Sequence, residues 1–198
     1  MHTLATTFVL GYHGCDETVA ERLLSGEDFR ASTNLYDWLG HGIYFWEANP
    51  IRGLEYAKEL KRKPVRGAGA ITTPQVVGAV IDLGLCLDLT TAAGVDQVKI
   101  AHKRYVEIVN KAGAELPQNS EDMLRRNLDC AVIEQLHKIR EDAGEPPIDT
   151  IKGVFTEGKP IYATAGFFRK THVQICVRNS DCIKGVFRVP KRHLTSGS

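Results

Sequence analysis

Apolar positions along the chain change from short strand-like runs to a helical period and back again. Residues 75–83 are almost continuously apolar, so we expect a strand that is buried on both faces of a sheet. Residues 91–142 keep a helical period on either side of Pro117, which predicts a helical hairpin inserted between two halves of the sheet. Further apolar runs predict strands at residues 6–12, 86–89, 151–156, 171–177 and 182–189.

Capping signals predict two helices in the first third of the chain. Asp16 has the side chain of a helix N-cap, and Gly26 is suited to close the helix that follows. Asn49 followed by Pro50 is a second start signal, because asparagine caps free amide groups and proline fits the first helical position. We therefore predict one helix directly after Asp16 and another from Pro50 to about Lys61.

The composition is that of one globular domain. The 198 residues, with 43% hydrophobic content, suffice for one well-buried core, so we expect a single α+β domain over residues 1–198. Lys and Arg number 25 against 24 for Asp and Glu, so no overall positive field draws the chain to nucleic acid.

The cysteine pattern and the hydropathy bear on compartment. The five cysteines are odd in number and include no Cys-x-x-Cys pair, which argues against a disulfide framework and a zinc site. No apolar run is long enough to span a bilayer, and the first residues lack the features of a secretion signal. We therefore expect a cytoplasmic protein that holds no metal and contacts no membrane.

Two glycine-containing stretches carry the candidate chemistry. The first, Phe-Val-Leu-Gly-Tyr-His-Gly-Cys, is an apolar strand that ends in His13 and Gly14. The second, Trp-Leu-Gly-His-Gly-Ile-Tyr-Phe-Trp, predicts a tight loop that leads into a short buried strand at Tyr44. A glycine lets a ligand approach the backbone, and a strand fixes an aromatic ring on which that ligand can stack.

The order of these elements resembles a known family. A strand with His-Gly, a helix, a Gly-rich loop into Gly-Ile-Tyr-Phe, and a helix carrying Tyr56 resemble the front half of the ADP-ribosyltransferase fold. The lineage is that of poly(ADP-ribose) polymerase and diphtheria toxin, in which a histidine, a tyrosine and a glutamate define the NAD pocket. The resemblance implies a split β-sheet core with flanking helices. It covers residues 8–60 well and residues 171–187 more loosely.

The resemblance implies roles for five residues at the nicotinamide and adenosine ends of NAD. His13 is expected to hydrogen-bond a ribose hydroxyl of the adenosine half, and the Gly14 backbone to hold the nicotinamide carboxamide. Tyr44 is expected to stack on the nicotinamide ring. Tyr36, from the preceding loop, is a second stacking candidate, and Ser32 is a candidate hydrogen-bonder to the carboxamide.

The third position of the family falls on Gln174, where polymerising relatives have glutamate. Loss of nicotinamide leaves positive charge on the ribose, which a carboxylate would stabilise and a glutamine cannot. Glu157 and Glu47 are therefore candidates for a compensating carboxylate. His172 lies two residues before Gln174, hence on the same strand face, and is a candidate acceptor-positioning group or base.

The resemblance implies an NAD-dependent mono-ADP-ribosyltransferase that releases nicotinamide and consumes NAD as a substrate. Such an enzyme is typical of a bacterial-type toxin or effector that modifies an intracellular macromolecule, and a cognate inhibitor or antitoxin would be its partner. The acceptor, protein or nucleic acid, stays open. An RNA 2'-phosphotransferase is an alternative that relies on basic pocket residues, of which only Arg30 matches. A non-catalytic NAD-binding module is a third interpretation.

Overall fold

One mixed β-sheet carries the fold in the computed structural model, which describes residues 8–64 and 69–195. The predicted α+β class is confirmed, with seven strands and four α-helices in these two ranges. The strands are β1 (Phe8–Asp16), β2 (Ile43–Glu47), β3 (Pro74–Asp82), β4 (Cys86–Asp88), β5 (Thr150–Phe155), β6 (His172–Val177) and β7 (Ile183–Arg188). The helices are α1 (Glu17–Leu24), α2 (Pro50–Arg62), α3 (Ala92–Lys111) and α4 (Asn127–Asp142).

The strand order across the sheet is β4-β5-β6-β2-β1-β3-β7. Every neighbouring pair is antiparallel except β4 and β5, which are parallel. A parallel pair needs a long crossover connection, and the predicted helical hairpin, now seen as α3 and α4, supplies it. None of the four helices is long and apolar enough to cross a membrane.

The expected split into two sheets is not found among the described residues, because all seven strands belong to one hydrogen-bonded sheet. The pairing of β1 with β2 is nevertheless short: Gly11 opposes Glu47, Tyr12 opposes Trp46, and the registered pairing ends there. At the point where it ends, the Tyr44 carbonyl lies 2.9 Å from a side-chain nitrogen of β1. The registered pairing in the sheet is therefore shortest between β1 and β2, beside the two glycine-containing stretches.

Both predicted helix starts are confirmed. One oxygen of the Asp16 carboxylate accepts a hydrogen bond from the Thr18 amide at 3.1 Å. The other oxygen accepts one from the Thr72 amide at 2.7 Å. The Asn49 side chain accepts from the Arg52 amide at 3.0 Å. β1 continues to Asp16, four residues beyond its predicted end, because it pairs with β3 along its whole length. Residues 6 and 7 of the predicted strand lie outside the described ranges.

The core is divided between the two faces of the sheet. One face packs against α2 and the helical hairpin, and its buried cluster includes Leu39, Ile133 and Ile151. The opposite face is covered by α1 and by the stretch that contains Phe29, over strand residues such as Phe45. Two differently lined surfaces therefore meet at the β1–β2 junction.

Candidate functional site

Three neighbouring strands, β6, β2 and β1, carry the three positions expected to define the NAD pocket. Tyr12 lies directly opposite Trp46, so their side chains share a sheet face, and alternation puts Tyr44 and Gln174 on that face as well. His13 points to the other face. The structure therefore brings the three positions together in the sheet but does not gather their side chains on one surface.

His13 is held at the point where β1 and β2 separate. Its Nδ1 lies 2.9 Å from the Tyr44 carbonyl oxygen, and its ring packs 5.3 Å from Phe29 and 5.7 Å from Phe45. Burial lowers the pKa of His13, which favours the neutral ring. A carbonyl only accepts, so Nδ1 carries the proton and Nε2 of this half-buried ring is a hydrogen-bond acceptor.

Tyr44 uses its hydroxyl inside the Gly-rich loop. The hydroxyl donates to the Gly40 carbonyl at 2.8 Å and accepts from the Leu39 amide at 3.0 Å. Burial is the largest cause that raises the pKa of Tyr44 well above its usual value, so the phenol stays protonated. The ring packs against the core cluster under the hairpin, which makes Tyr44 the residue that fixes the loop to the sheet.

Ser32 and Tyr36 lie in the segment that precedes this loop. The backbone of Ser32 exchanges two hydrogen bonds with Gly42, and its hydroxyl accepts from the Asn34 side chain at 2.7 Å. Tyr36 is half-buried, and the Arg125 guanidinium lies 5.6 Å from its ring. Ser32 thus closes the base of the loop, while Tyr36 contacts the segment that leads into α4.

Helix α4 clamps the Gly-rich loop from outside. The Glu134 carboxylate accepts from the His41 amide at 2.8 Å and from Arg178 at 2.9 Å. His137, on the same helix, is partly buried. Burial, followed by the charge of Arg178, lowers the pKa of His137 to about 4. The hairpin, which carries no motif of the resembling family, therefore positions the loop.

Gly14 has a packing reason to be glycine. A Cβ at this position would lie 2.0 Å from the backbone oxygen of Gly53 in α2. Helix α2 therefore covers the β1 backbone at the place where the resemblance puts the nicotinamide carboxamide. The close approach of two glycines allows this helix to pack directly on the sheet.

Gln174 faces an aromatic and cationic group. Its side-chain oxygen accepts from the Trp38 indole N–H at 2.6 Å, and Trp38 packs 5.4 Å from Phe155. The Arg126 guanidinium lies 4.8 Å from the Trp38 ring and 4.5 Å from the Phe155 ring. Since an indole N–H only donates, this bond fixes the amide orientation of Gln174.

His172 lies on the same face, in a row of aromatic rings. It stacks on Phe155 at 5.5 Å, and Trp46 lies 6.2 Å from His172 and 4.8 Å from Tyr56. Its Nδ1 is 2.6 Å from the Lys170 carbonyl oxygen, so Nδ1 donates and Nε2 bears the lone pair. Burial lowers the pKa of His172 and favours the neutral ring.

Arg52 connects this row to Glu157, one of the predicted acids. Arg52 is 5% exposed, and its Nη2 contacts Glu157 at 2.7 Å and Glu59 at 3.3 Å. Lys170 bonds to the same two carboxylates at 3.3 and 2.7 Å. Burial alone would raise the pKa of Glu157, but Arg52 and Lys170 outweigh it and lower that pKa. Glu157 is thus part of a charge network.

Glu47 is also engaged, and it lies on the other face. Glu47 opposes Gly11, which lies two residues before His13 in β1 and therefore on the same sheet face as His13. The Glu47 carboxylate contacts Lys152 at 2.8 Å. Neither acid considered as a substitute for the missing glutamate is therefore a free carboxylate beside Gln174.

Three neighbouring side chains near the network have buried polar atoms with no hydrogen-bond partner among the described residues. They are Nε1 of Trp46, Nε and Nη1 of Arg52, and Nε2 of His172. Sequence reasoning missed Trp46 and Arg52. A signal existed, since Arg52 puts a cation in the first turn of α2, where the helix dipole disfavours it.

The remaining reactive groups are buried or dispersed. All five cysteines are free, and four of them are buried. Within residues 8–64 and 69–195, no group of His, Cys, Asp and Glu side chains is arranged to hold a metal ion.

The comparisons with known proteins give one similar chain. An uncharacterized protein of Methanocaldococcus jannaschii is 25% identical over 193 residues, covering 87% of this chain and 83% of its own length. No protein-family model matches the chain. No solved structure matches it either.

Proposed function

We propose that this protein is an NAD-dependent mono-ADP-ribosyltransferase that transfers ADP-ribose to an intracellular macromolecule. The observation that carries the proposal is the adjacency of β6, β2 and β1, because these three strands carry Gln174, Tyr44 and His13-Gly14, the residues on which the resemblance rests. At that junction the β1–β2 pairing ends, and His13 bonds to the Tyr44 backbone.

In this proposal, His13 binds NAD and the loop fixed by Tyr44 encloses the nicotinamide end. The Nε2 lone pair of His13 accepts a hydrogen bond from a ribose hydroxyl, because Nδ1 is already committed to the Tyr44 carbonyl. When nicotinamide leaves, the electrons of the bond between ribose C1' and nitrogen go to nicotinamide. The ribose is then positively charged.

Gln174 distinguishes this site from those of polymerising relatives. Its oxygen accepts from Trp38, so its NH₂ group is left to donate to a ribose oxygen. That contact positions the ribose but adds no negative charge beside the cation. With Glu157 and Glu47 both in ion pairs, single transfers or hydrolysis are expected, and polymer formation is not.

Nicotinamide release from NAD tests this function. The parent protein is incubated with NAD, and free nicotinamide is measured by chromatography with and without added protein or nucleic acid. Gln174→Ala should lower the release rate far more than NAD affinity, and Gln174→Glu should keep or raise it, since a carboxylate stabilises the developing cation. Gln118→Ala, at an exposed glutamine, is the matched control. Equal release by the parent and Gln174→Ala would contradict the assignment of Gln174.

A non-catalytic NAD-binding module is the second candidate. The observation in its favour is that Gln174 is neutral while both nearby acids are already paired. If calorimetry shows NAD binding and no nicotinamide is released under any condition, the protein is a non-catalytic NAD-binding module.

A further inference from the structure

Trp46, Arg52 and His172 are neighbouring side chains, and each has a buried polar atom without a hydrogen-bond partner among the described residues. The Arg52 guanidinium carbon is 5.8 Å from the Trp46 ring, and the His172 ring is 6.2 Å from it. The three residues are only 3, 5 and 6% exposed. Buried donors and acceptors without partners are costly, so this arrangement indicates a group that binds among them.

The hydrogen-bonding inventory of the region identifies the chemistry of that group. Trp46 and Arg52 offer N–H donors, and the neutral His172 offers one acceptor lone pair, since its Nδ1 donates to the Lys170 carbonyl. The adjoining charges balance, because Arg52 and Lys170 face two carboxylates. The region therefore suits an uncharged group that both accepts and donates.

A hydroxyl meets these requirements, whereas a carboxylate, a protonated amine, a guanidinium and a carboxamide do not. A carboxylate only accepts and has no proton for His172, whereas an ammonium or guanidinium only donates and would leave the Trp46 and Arg52 donors unmatched. A carboxamide does both, but its nitrogen lone pair is delocalised and does not attack. A hydroxyl is also the acceptor that most needs a base, because its oxygen is weakly nucleophilic while protonated.

We propose that Trp46, Arg52 and His172 bind the acceptor of ADP-ribose transfer, and that this acceptor is a hydroxyl group. The inference rests on the proposed function. The Trp46 and Arg52 N–H groups hold the hydroxyl oxygen, and His172 Nε2 removes its proton. A bond forms from that oxygen to ribose C1' as the bond from C1' to nicotinamide nitrogen breaks. Nicotinamide leaves with the electron pair, and the proton passes from His172 to water.

An open groove lies beside the Arg52 network. It has a volume of about 370 Å³ and lies between the outer face of α2 and the end of the segment before β6. Its lining residues are Glu55, Lys58, Glu59, Arg62, Arg169 and Lys170. Glu59 and Lys170 form an ion pair and belong both to this lining and to the Arg52 network. An acceptor chain lying in the groove would reach His172 past this pair.

The test presents matched acceptors to the full chain with NAD. Three peptides are identical except at one position, which is serine, glutamate or arginine. An RNA oligonucleotide is compared with the DNA oligonucleotide of the same sequence. Mass spectrometry measures ADP-ribose adducts, and neutral hydroxylamine distinguishes labile esters from stable glycosides. We expect adducts on the serine peptide only, because the chain has no overall positive field that would attract nucleic acid. Adducts on RNA alone would assign the hydroxyl to a ribose and overturn a protein acceptor.

Variants assign the roles of the three residues. His172→Ala should lower transfer to the hydroxyl acceptor by about 100-fold, as expected for loss of a general base, and His102→Ala at an exposed histidine should not. Trp46→Phe keeps an aromatic ring in this buried position and removes the N–H together with the five-membered part of the indole, so it should raise the acceptor KM while the KM for NAD stays constant. This second variant keeps the test valid if His172→Ala does not fold.

The outcomes separate the two proposals. Nicotinamide release with adducts on the glutamate or arginine peptide overturns the hydroxyl inference and leaves the transferase function intact. A Trp46→Phe variant with a raised KM for NAD also overturns it, because the region would then bind the carboxamide of NAD. No nicotinamide release with any acceptor overturns both.

Discussion

His13 and His172 are held in the same way on opposite faces of the sheet. Each donates from Nδ1 to a backbone carbonyl, at 2.9 and 2.6 Å, which leaves Nε2 as an acceptor. Their surroundings differ. His13 is half-buried against two phenylalanines, whereas His172 is 6% exposed and lies beside the buried Arg52 network. The first environment favours binding of a ligand hydroxyl, and the second favours transfer of a proton to a buried, neutral imidazole.

The largest effect is expected from the glycine that follows His13. Gly14→Ala puts a Cβ 2.0 Å from the Gly53 oxygen, and backbone atoms cannot easily move away. We expect the free energy of unfolding to fall by about 3 kcal/mol, as for a severe overpacking substitution. Urea denaturation measures it, with Gly185→Ala in β7 as the control, because no atom lies within 4 Å of its added Cβ. A Gly14→Ala variant of parental stability that no longer binds NAD would show that Gly14 serves the ligand alone.

Tyr44 connects the two histidine environments and allows them to be separated. Its carbonyl holds His13 on one face, while its hydroxyl holds the Gly-rich loop on the other. Tyr44→Phe removes only the hydroxyl and leaves two main-chain groups unpaired, which should cost about 2 kcal/mol of stability. The exposed Tyr162→Phe is the control. Unchanged stability in Tyr44→Phe would mean that the loop is held chiefly by Glu134.

Exchange of each histidine for alanine tests the difference between them directly. His13→Ala should weaken NAD binding about tenfold, which corresponds to about 1.4 kcal/mol for one lost hydrogen bond to the ligand. His172→Ala should bind NAD as the parent does, because its proposed partner is the acceptor. Isothermal titration calorimetry measures both. If His172→Ala weakens NAD binding and His13→Ala does not, the two roles are reversed.

Local signals predicted the elements around the site, but not the face to which each side chain points. The caps at Asp16 and Asn49 depend on neighbours a few residues away, so the sequence contains them in full. The face of His13 depends on the β1–β2 register, which is set by pairing between distant segments. The network around Arg52 likewise joins residues about a hundred positions apart, such as Glu157. Arg52 in the first turn of α2 is the one local feature of the sequence that indicated this network.

The pH dependence of stability gives the smallest and most selective test of the two environments. Burial lowers the pKa of both His13 and His172, so between the folded pKa and about 6.5 the unfolded chain binds protons that the folded chain does not. Stability is therefore complete above pH 6.5 and falls as pH drops, by at most about 1.4 kcal/mol per pH unit for each histidine. The pKa of His137 is lowered to about 4, so this histidine also makes the free energy of unfolding fall as pH drops. The comparison is therefore made in a His137→Gln background. In that background, His13→Gln and His172→Gln should each reduce the slope of unfolding free energy against pH, measured by urea titration. An unchanged slope for either variant would show that this histidine is not buried in its neutral form.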